Sequence, residues 1–192
     1  MEFDKFAESY DTGLMGKGSK RFYVDLVKTL DIRDGDAVLD VGCGTGTVLS
    51  YVHESRRIRG YGLDVSEHMI AVAKEKNPEF SFVTGDSAKL PYEDGSMDVI
   101  MACMAYHHFP EQKRFRKEAL RRVLKPGGSL YICDPRFPAP VRFVFNTFFR
   151  DAGFHSTVQN TSAFEETGFI TKQIVKDRYV QVLRFEKRKN QK

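Results

Sequence analysis

The sequence predicts a single α/β domain over residues 1–192, with a mostly parallel sheet covered by helices. Short apolar runs rich in β-branched residues alternate with segments of helical periodicity through the middle of the chain. A glycine-rich turn, Gly42-Cys43-Gly44-Thr45-Gly46, follows the first of those apolar runs directly. Toward the C-terminus the pattern changes to apolar–polar alternation, which marks antiparallel strands with one wet face.

Each element follows from a local pattern. Ser19 to Leu30 reads as an amphipathic helix, with Phe22, Leu26 and Leu30 on a face shared with Tyr23 and Val27. Asp34-Gly35-Asp36 is a turn, and Ala37 to Val41 is the first buried strand. The glycine turn opens a helix near Thr45 to His53, and Tyr61 to Val65 forms the second strand. Ser66 caps the next helix, which turns Met69, Ile70 and Ala73 inward and stops before Asn77-Pro78. Phe80 to Val83 is the third strand and Met97 to Cys103 the fourth. A helix over Glu111 to Leu124 carries Phe115, Leu120, Val123 and Leu124 on its apolar face. Lys125-Pro126-Gly127-Gly128 stops it, and Ser129 to Cys133 is the fifth strand. A helix over about Val141 to Ala152 is apolar nearly all round, so something must cover it. Ile170 to Lys176 and Tyr179 to Phe185 pair as a hairpin, with Asp177-Arg178 at the turn.

Bulk properties exclude several classes. With 41% hydrophobic and 29% charged residues, the composition is that of a globular domain. No apolar run is long enough to span a membrane, and Met1 to Lys5 shows no secretory signal. Cys43, Cys103 and Cys133 form no CxxC pair, so neither a zinc site nor a disulfide framework is expected, and a reducing cytoplasm is the default. The net charge of +4 resides in the last six residues, Lys187 to Lys192, with four basic groups and no acid. They read as a solvated tail, or as one that touches a nucleic acid or an acidic membrane, on a neutral body that lacks a basic stripe.

The chemistry gathers at the strand ends. Glycines after a buried strand let the backbone approach a ligand, and the helix they open offers free N–H groups to an anion. Asp64 ends the second strand, where a carboxylate can accept from a ribose diol. Capping the following helix alongside Ser66 is its alternative role. Asp86 follows the third strand, with Ser87 and Ala88 behind it. A carboxylate there suits an exocyclic amine, and a neighbouring N–H suits a ring nitrogen. Three successive strands thus end in Gly, Asp and Asp at the edge where open α/β sheets bind ligands.

In these residues the chain resembles the class I S-adenosylmethionine-dependent methyltransferases, most closely the small-molecule branch that includes the ubiquinone/menaquinone-biosynthesis enzymes. The resemblance rests on Val38 to Gly46, on Gly62-Leu63-Asp64-Val65-Ser66 with Met69-Ile70, and on Gly85-Asp86, Asp98-Val99-Ile100 and Leu124 to Gly128. It covers roughly residues 1–134. It implies a Rossmann-like, doubly wound sheet of seven strands with the last antiparallel. It also implies S-adenosylmethionine as cofactor, without a metal. Gly42 and Gly44 would lie against its methionine part, Asp64 on the ribose, Met69 against the adenine and Asp86 on its amine, with Val65 and Ser87 as further cofactor-binding residues. Asp40 would act from behind, the Ala102 carbonyl would meet the ammonium, and Tyr10 would cover the cofactor from a lid segment within residues 1–30.

Two regions are expected to form the acceptor site. Ala105-Tyr106-His107-His108-Phe109 follows the fourth strand; His107 could orient an acceptor or take its proton, or could merely cap a helix. Tyr106 reads as packing. Residues 135–160 hold Phe137, Phe143, Phe145, Phe148, Phe149 and Phe154 with three arginines and one acid, Asp151. They form either a cap over an apolar or aromatic acceptor, with Arg142 and Arg150 on one face, or core packing or a homodimer contact. A nicotinamide dehydrogenase fits less well, because the glycines are spaced G-x-G-x-G rather than G-x-G-x-x-G. A nucleic-acid methyltransferase lacks support, because Ala102 to Tyr106 carries no Asn/Asp-Pro-Pro-Tyr/Phe motif. A cofactor-binding protein without turnover is the third alternative.

Overall fold

The computed structural model of the protein describes residues 14–149, 153–177 and 179–189. Seven strands form one sheet: β1 (Ala37–Val41), β2 (Arg59–Asp64), β3 (Ser81–Thr84), β4 (Met97–Cys103), β5 (Leu124–Pro135), β6 (Ile170–Lys176) and β7 (Val180–Glu186). Their order is β3-β2-β1-β4-β5-β7-β6. β1 to β5 are parallel, and β7 runs antiparallel between β5 and β6. The expected sheet, with its final hairpin, is therefore present.

Helices cover both faces, which is why β1 is buried along its whole length. Val38, Val99, Met101 and Tyr131 face α1 (Leu14–Thr29), α2 (Thr47–Ser55) and α3 (Glu67–Lys76), meeting Tyr23, Leu26, Leu49 and Ile70. Leu39, Val41, Ile100 and Leu130 form the opposite core with Phe115 of α4 (Gln112–Glu118), Phe164 of α6 (Thr157–Thr167), and Phe185. Each fully buried side chain of this size stabilises the fold by ~1.5–3 kcal/mol.

Several local expectations need correction. The helix after β4 does not run uniformly to Leu124: α4 widens into a π turn over Ala119–Val123, and β5 begins at Leu124. Lys125 to Gly128 therefore belong to a strand, with Gly127 at φ 80. Lys187 is not part of a solvated tail. It is buried, its Nζ donates to the Leu124 carbonyl at 2.8 Å, and its backbone bonds Gly127 and Gly128. The phenylalanine-rich helix is α5 (Ala139–Phe148), shorter than expected, and none of its residues is buried. α6 was not anticipated, although Ser156 and Gln159 form a capping box at its start and Gly168, at φ 116, ends it.

Candidate functional site

Strand order reverses between β1 and β4, so their C-terminal ends open a crevice at the topological switch point. The glycine turn occupies it. Gly42 and Cys43 donate to the Leu63 carbonyl at 2.7 and 3.0 Å, anchoring the turn to β2. Gly42, Gly44 and Gly46 all have positive φ, for different reasons. A Cβ on Gly42 would lie 2.4 Å from the Ala105 Cβ, and one on Gly46 would strike Phe82 and Asn77. A Cβ on Gly44 would meet no protein atom within 4 Å. Gly42 and Gly46 thus serve packing, and Gly44 leaves an open approach to the backbone.

Asp64 braces this turn. Its Oδ2 accepts from the Gly44 N–H and its Oδ1 from the Ser66 N–H, each at 2.9 Å. Ser66 in turn caps α3 by accepting from the Met69 N–H at 3.1 Å. A carboxylate has about four acceptor sites, so holding the turn leaves capacity for a ligand's hydroxyls. Val65, just past Asp64, is 55% exposed, whereas Met69 is buried. At the end of β3, Asp86 accepts from the Ala88 N–H at 2.8 Å and is exposed, with Ser87 buried beside it.

Asp40 is the electrostatic anomaly. It is 1% exposed, and neither carboxylate oxygen has a hydrogen-bond partner among the described residues. Burial, and secondarily the charge of Asp64, pushes its pKa up to about 8. A cationic group nearby would supply what this carboxyl lacks. α2 starts from Gly46 without a side-chain cap, so its N-terminus suits an anion. A cavity lined by Tyr23, Gly42, Cys43, Gly44, Thr45, Thr47, Val48, Cys103 and Met104 lies against these groups. Met104 has φ 56, a left-handed strain unusual outside glycine, immediately after β4. Ala102 lies two residues earlier, fully buried and paired with Ile132 of β5. Tyr10 lies outside the described residues.

Beyond β4, a single turn of 3-10 helix (Tyr106–His108) presents the histidines. His107 is 5% exposed, and its Nδ1 lies 2.9 Å from Oδ1 of Asp134, also buried, at the end of β5. A carboxylate only accepts, so Nδ1 is the donor in this pair. Asp134 was missed in the sequence, though it repeats the pattern of an acid closing a parallel strand. His107 is thus neither a helix cap nor an isolated residue. Tyr106 packs against Phe109, Phe115 and Phe164, and its hydroxyl accepts from Arg116 at 2.7 Å, as its packing role required.

The expected cavity beside His107 is filled. Phe154 stacks on the imidazole with centroids 4.3 Å apart and planes 19° apart, and Phe137 and Phe145 stand edge-on behind it. Asn146 of α5 holds the Phe154 backbone by two hydrogen bonds of 2.9 and 3.0 Å. The expected cap helix divides by face: Phe145 joins this cluster, while Phe143 and Phe148 are 71% and 74% exposed. Arg142 donates to the Phe137 carbonyl, and Arg150 and Asp151 lie outside the described residues. Among the described residues no cluster of side chains could hold a metal.

Residues 39–132 match the family model described as a methyltransferase domain. The chain is 32% identical over 143 residues to a demethylmenaquinone methyltransferase of Chlorobaculum tepidum, covering 71% of this chain and 59% of that one. It is 38% identical over 105 residues to the phthiotriol/phenolphthiotriol dimycocerosates methyltransferase of Mycobacterium tuberculosis, covering 53% and 38%. The chain thus spans less than two thirds of the length of these curated relatives. Among solved structures, the methyltransferase in complex with the Haloferax volcanii Trm112 activator superposes with a TM-score of 0.85 at 21% identity, covering 97% and 98% of the two chains. At that identity the likeness speaks for the fold.

Proposed function

We propose that this chain, whose residues 39–132 match the methyltransferase-domain model, is an S-adenosylmethionine-dependent methyltransferase acting on a small, apolar or aromatic acceptor. The observation that carries the reading is the orphaned, buried Asp40 carboxyl beside a glycine turn left open at Gly44. Such a site fits a ligand with a cationic centre that must approach the backbone.

S-adenosylmethionine supplies an already electrophilic methyl group on a sulfonium. Gly44 would leave room for its methionine part, the N-terminus of α2 would receive its carboxylate, and the Asp40 carboxyl, once ionised beside the cation, would offset its positive charge. Asp64 accepts from its ribose hydroxyls while holding the turn. Met69, Asp86 and Ser87 would frame the adenine, with Val65 beside them, and the Ala102 carbonyl would accept from the ammonium. The remaining requirement is to hold the acceptor in line and exclude water, worth ~7–11 kcal/mol when alignment is complete.

His107 supplies the acid–base step. With Nδ1 fixed by Asp134, Nε2 accepts the proton that an acceptor hydroxyl or acidic carbon loses on methylation. Phe154 marks a position where a flat apolar ring fits against the imidazole; the acceptor takes that place when Phe154 swings aside. The relatives, a demethylmenaquinone methyltransferase and a phthiotriol/phenolphthiotriol dimycocerosates methyltransferase, support an acceptor of this class.

Two measurements test the reading. S-adenosylhomocysteine is expected to raise the melting temperature and NAD to leave it unchanged, because only a ligand of the native state stabilises it; the opposite ranking refutes the cofactor assignment. With a quinol-type acceptor, His107→Asn is expected to lower kcat by roughly 10²–10⁴ while calorimetric affinity for the cofactor stays the same. Unchanged turnover would remove His107 from the chemistry.

A further inference from the structure

The outer face of α5 has no protein to cover it among the described residues. Pro140, Val141, Val144, Thr147 and Phe148 follow one another along that face, with Phe143 at its margin, and all are exposed. The face carries no charge. Its two flanking cations are Arg136, which is exposed, and Arg142, half-buried on the inner side. Residues 135–149 contain no acid. The inner side of the same helix carries Phe145 and Asn146, which build the aromatic cluster against His107.

The size of this face decides among occupants. A helix of ten residues is about 15 Å long, so one side of it offers on the order of 200–300 Å². A stable contact between two copies of a chain needs about 800 Å² from each. A bilayer has no such threshold: an apolar face with an exposed arginine at its end lies in the headgroup layer, and the arginine meets anionic lipid.

We infer that the outer face of α5 docks on an anionic lipid surface, with Phe143 and Phe148 entering the headgroup–acyl boundary and Arg136 meeting the headgroups. α5 then lies between the bilayer and the aromatic cluster beside His107, which puts the candidate acceptor site one helix away from a lipid-like acceptor. The docking surface stands on exposure and charge alone; only its purpose rests on the methyltransferase reading.

The test uses the whole chain and no substrate. Protein is sedimented with vesicles of phosphatidylcholine alone and of phosphatidylcholine with an equal part of phosphatidylglycerol. Binding to the anionic vesicles is expected, weakening as salt rises. Phe143→Ser with Phe148→Ser should weaken it about tenfold or more, and Arg136→Gln should weaken it about fivefold. Both positions are exposed, and an unchanged melting temperature verifies the fold of each variant. Absence of binding to anionic vesicles overturns the inference, as does binding that the phenylalanine variant retains. A concentration-dependent dimer in gel filtration that the same variant abolishes also overturns it, assigning the face to a second copy. Vesicle binding without any effect of S-adenosylhomocysteine on melting would sink the cofactor reading and leave the docking surface standing.

Discussion

The two ends of the proposed site are built in opposite ways. At the glycine turn, every contact is short and local to strand ends: Gly42 on Leu63, Gly44 on Asp64, Ser66 on Asp64. Around α5, side chains from Phe137, Phe145, Phe154 and His107 meet across long stretches of chain, and the outer half of the helix is exposed. One end is a fixed backbone cradle and the other a set of rings on a lightly anchored helix. A cradle must suit one constant ligand, whereas stacked rings can be re-spaced for different acceptors at little cost to the fold.

The sharpest way to break this contrast lies within the turn. Gly42→Ala forces a Cβ onto Ala105 and a left-handed alanine, so a loss of roughly 2–4 kcal/mol of stability is expected in denaturant titration. Gly44→Ala meets no protein atom; it should cost about 1 kcal/mol of stability yet weaken cofactor affinity by about tenfold or more. Equal stability losses in the two variants would show that Gly44 is also a packing glycine.

Per pH unit, a smaller effect is expected from titration of Asp40. Asp40 has a folded pKa of about 8, above its ordinary value of 3.8, so the folded protein holds a proton that the unfolded chain releases. Its contribution to stability is complete at acid pH and is lost as pH rises from near 4 toward 8, at up to ~1.4 kcal/mol per pH unit. Asp40→Asn should remove that slope from the ligand-free protein. An unchanged slope would mean that Asp40 is ionised and solvated at the turn.

The smallest effects are expected on α5. Phe145→Ala should lower kcat/KM for the acceptor by about tenfold, the order of one lost buried contact, with cofactor affinity unchanged. Phe148→Ala should shift the melting temperature by no more than a degree or so, since an exposed side chain supplies little. If Phe148→Ala were the more destabilising, the two faces of the helix would have to be exchanged.

The same contrast governs how much could be read in the sequence. β1 and β4 fall on the residues expected, and Ser66 caps α3 as expected, because burial on both faces and a cap are local signals. The π turn and the long β5 escaped because sheet pairing overrode a Pro-Gly-Gly stop: Lys187 reaches back to Leu124 from the far end of the chain. Asp134 escaped because its role exists only through His107, 27 residues away. The apolar character of α5 was legible, but which half of it meets His107 depends on Asn146 gripping Phe154, a contact with no periodic signature. α6 was readable from its capping box and was overlooked.

The contact between Gly42 and Ala105 has a consequence for inheritance and redesign. One residue sits in the turn after β1, the other heads the segment bearing His107, and the space between them admits a single methyl group. The two positions therefore form a lock whose parts cannot drift separately. A loop transplanted from a relative to alter acceptor choice would have to bring a residue no larger than alanine at 105, or the turn would be pushed off Leu63. Libraries that randomise positions 106–109 and 137–154 while freezing 42 and 105 should yield many more folded variants than libraries that include 105, whatever acceptor is selected.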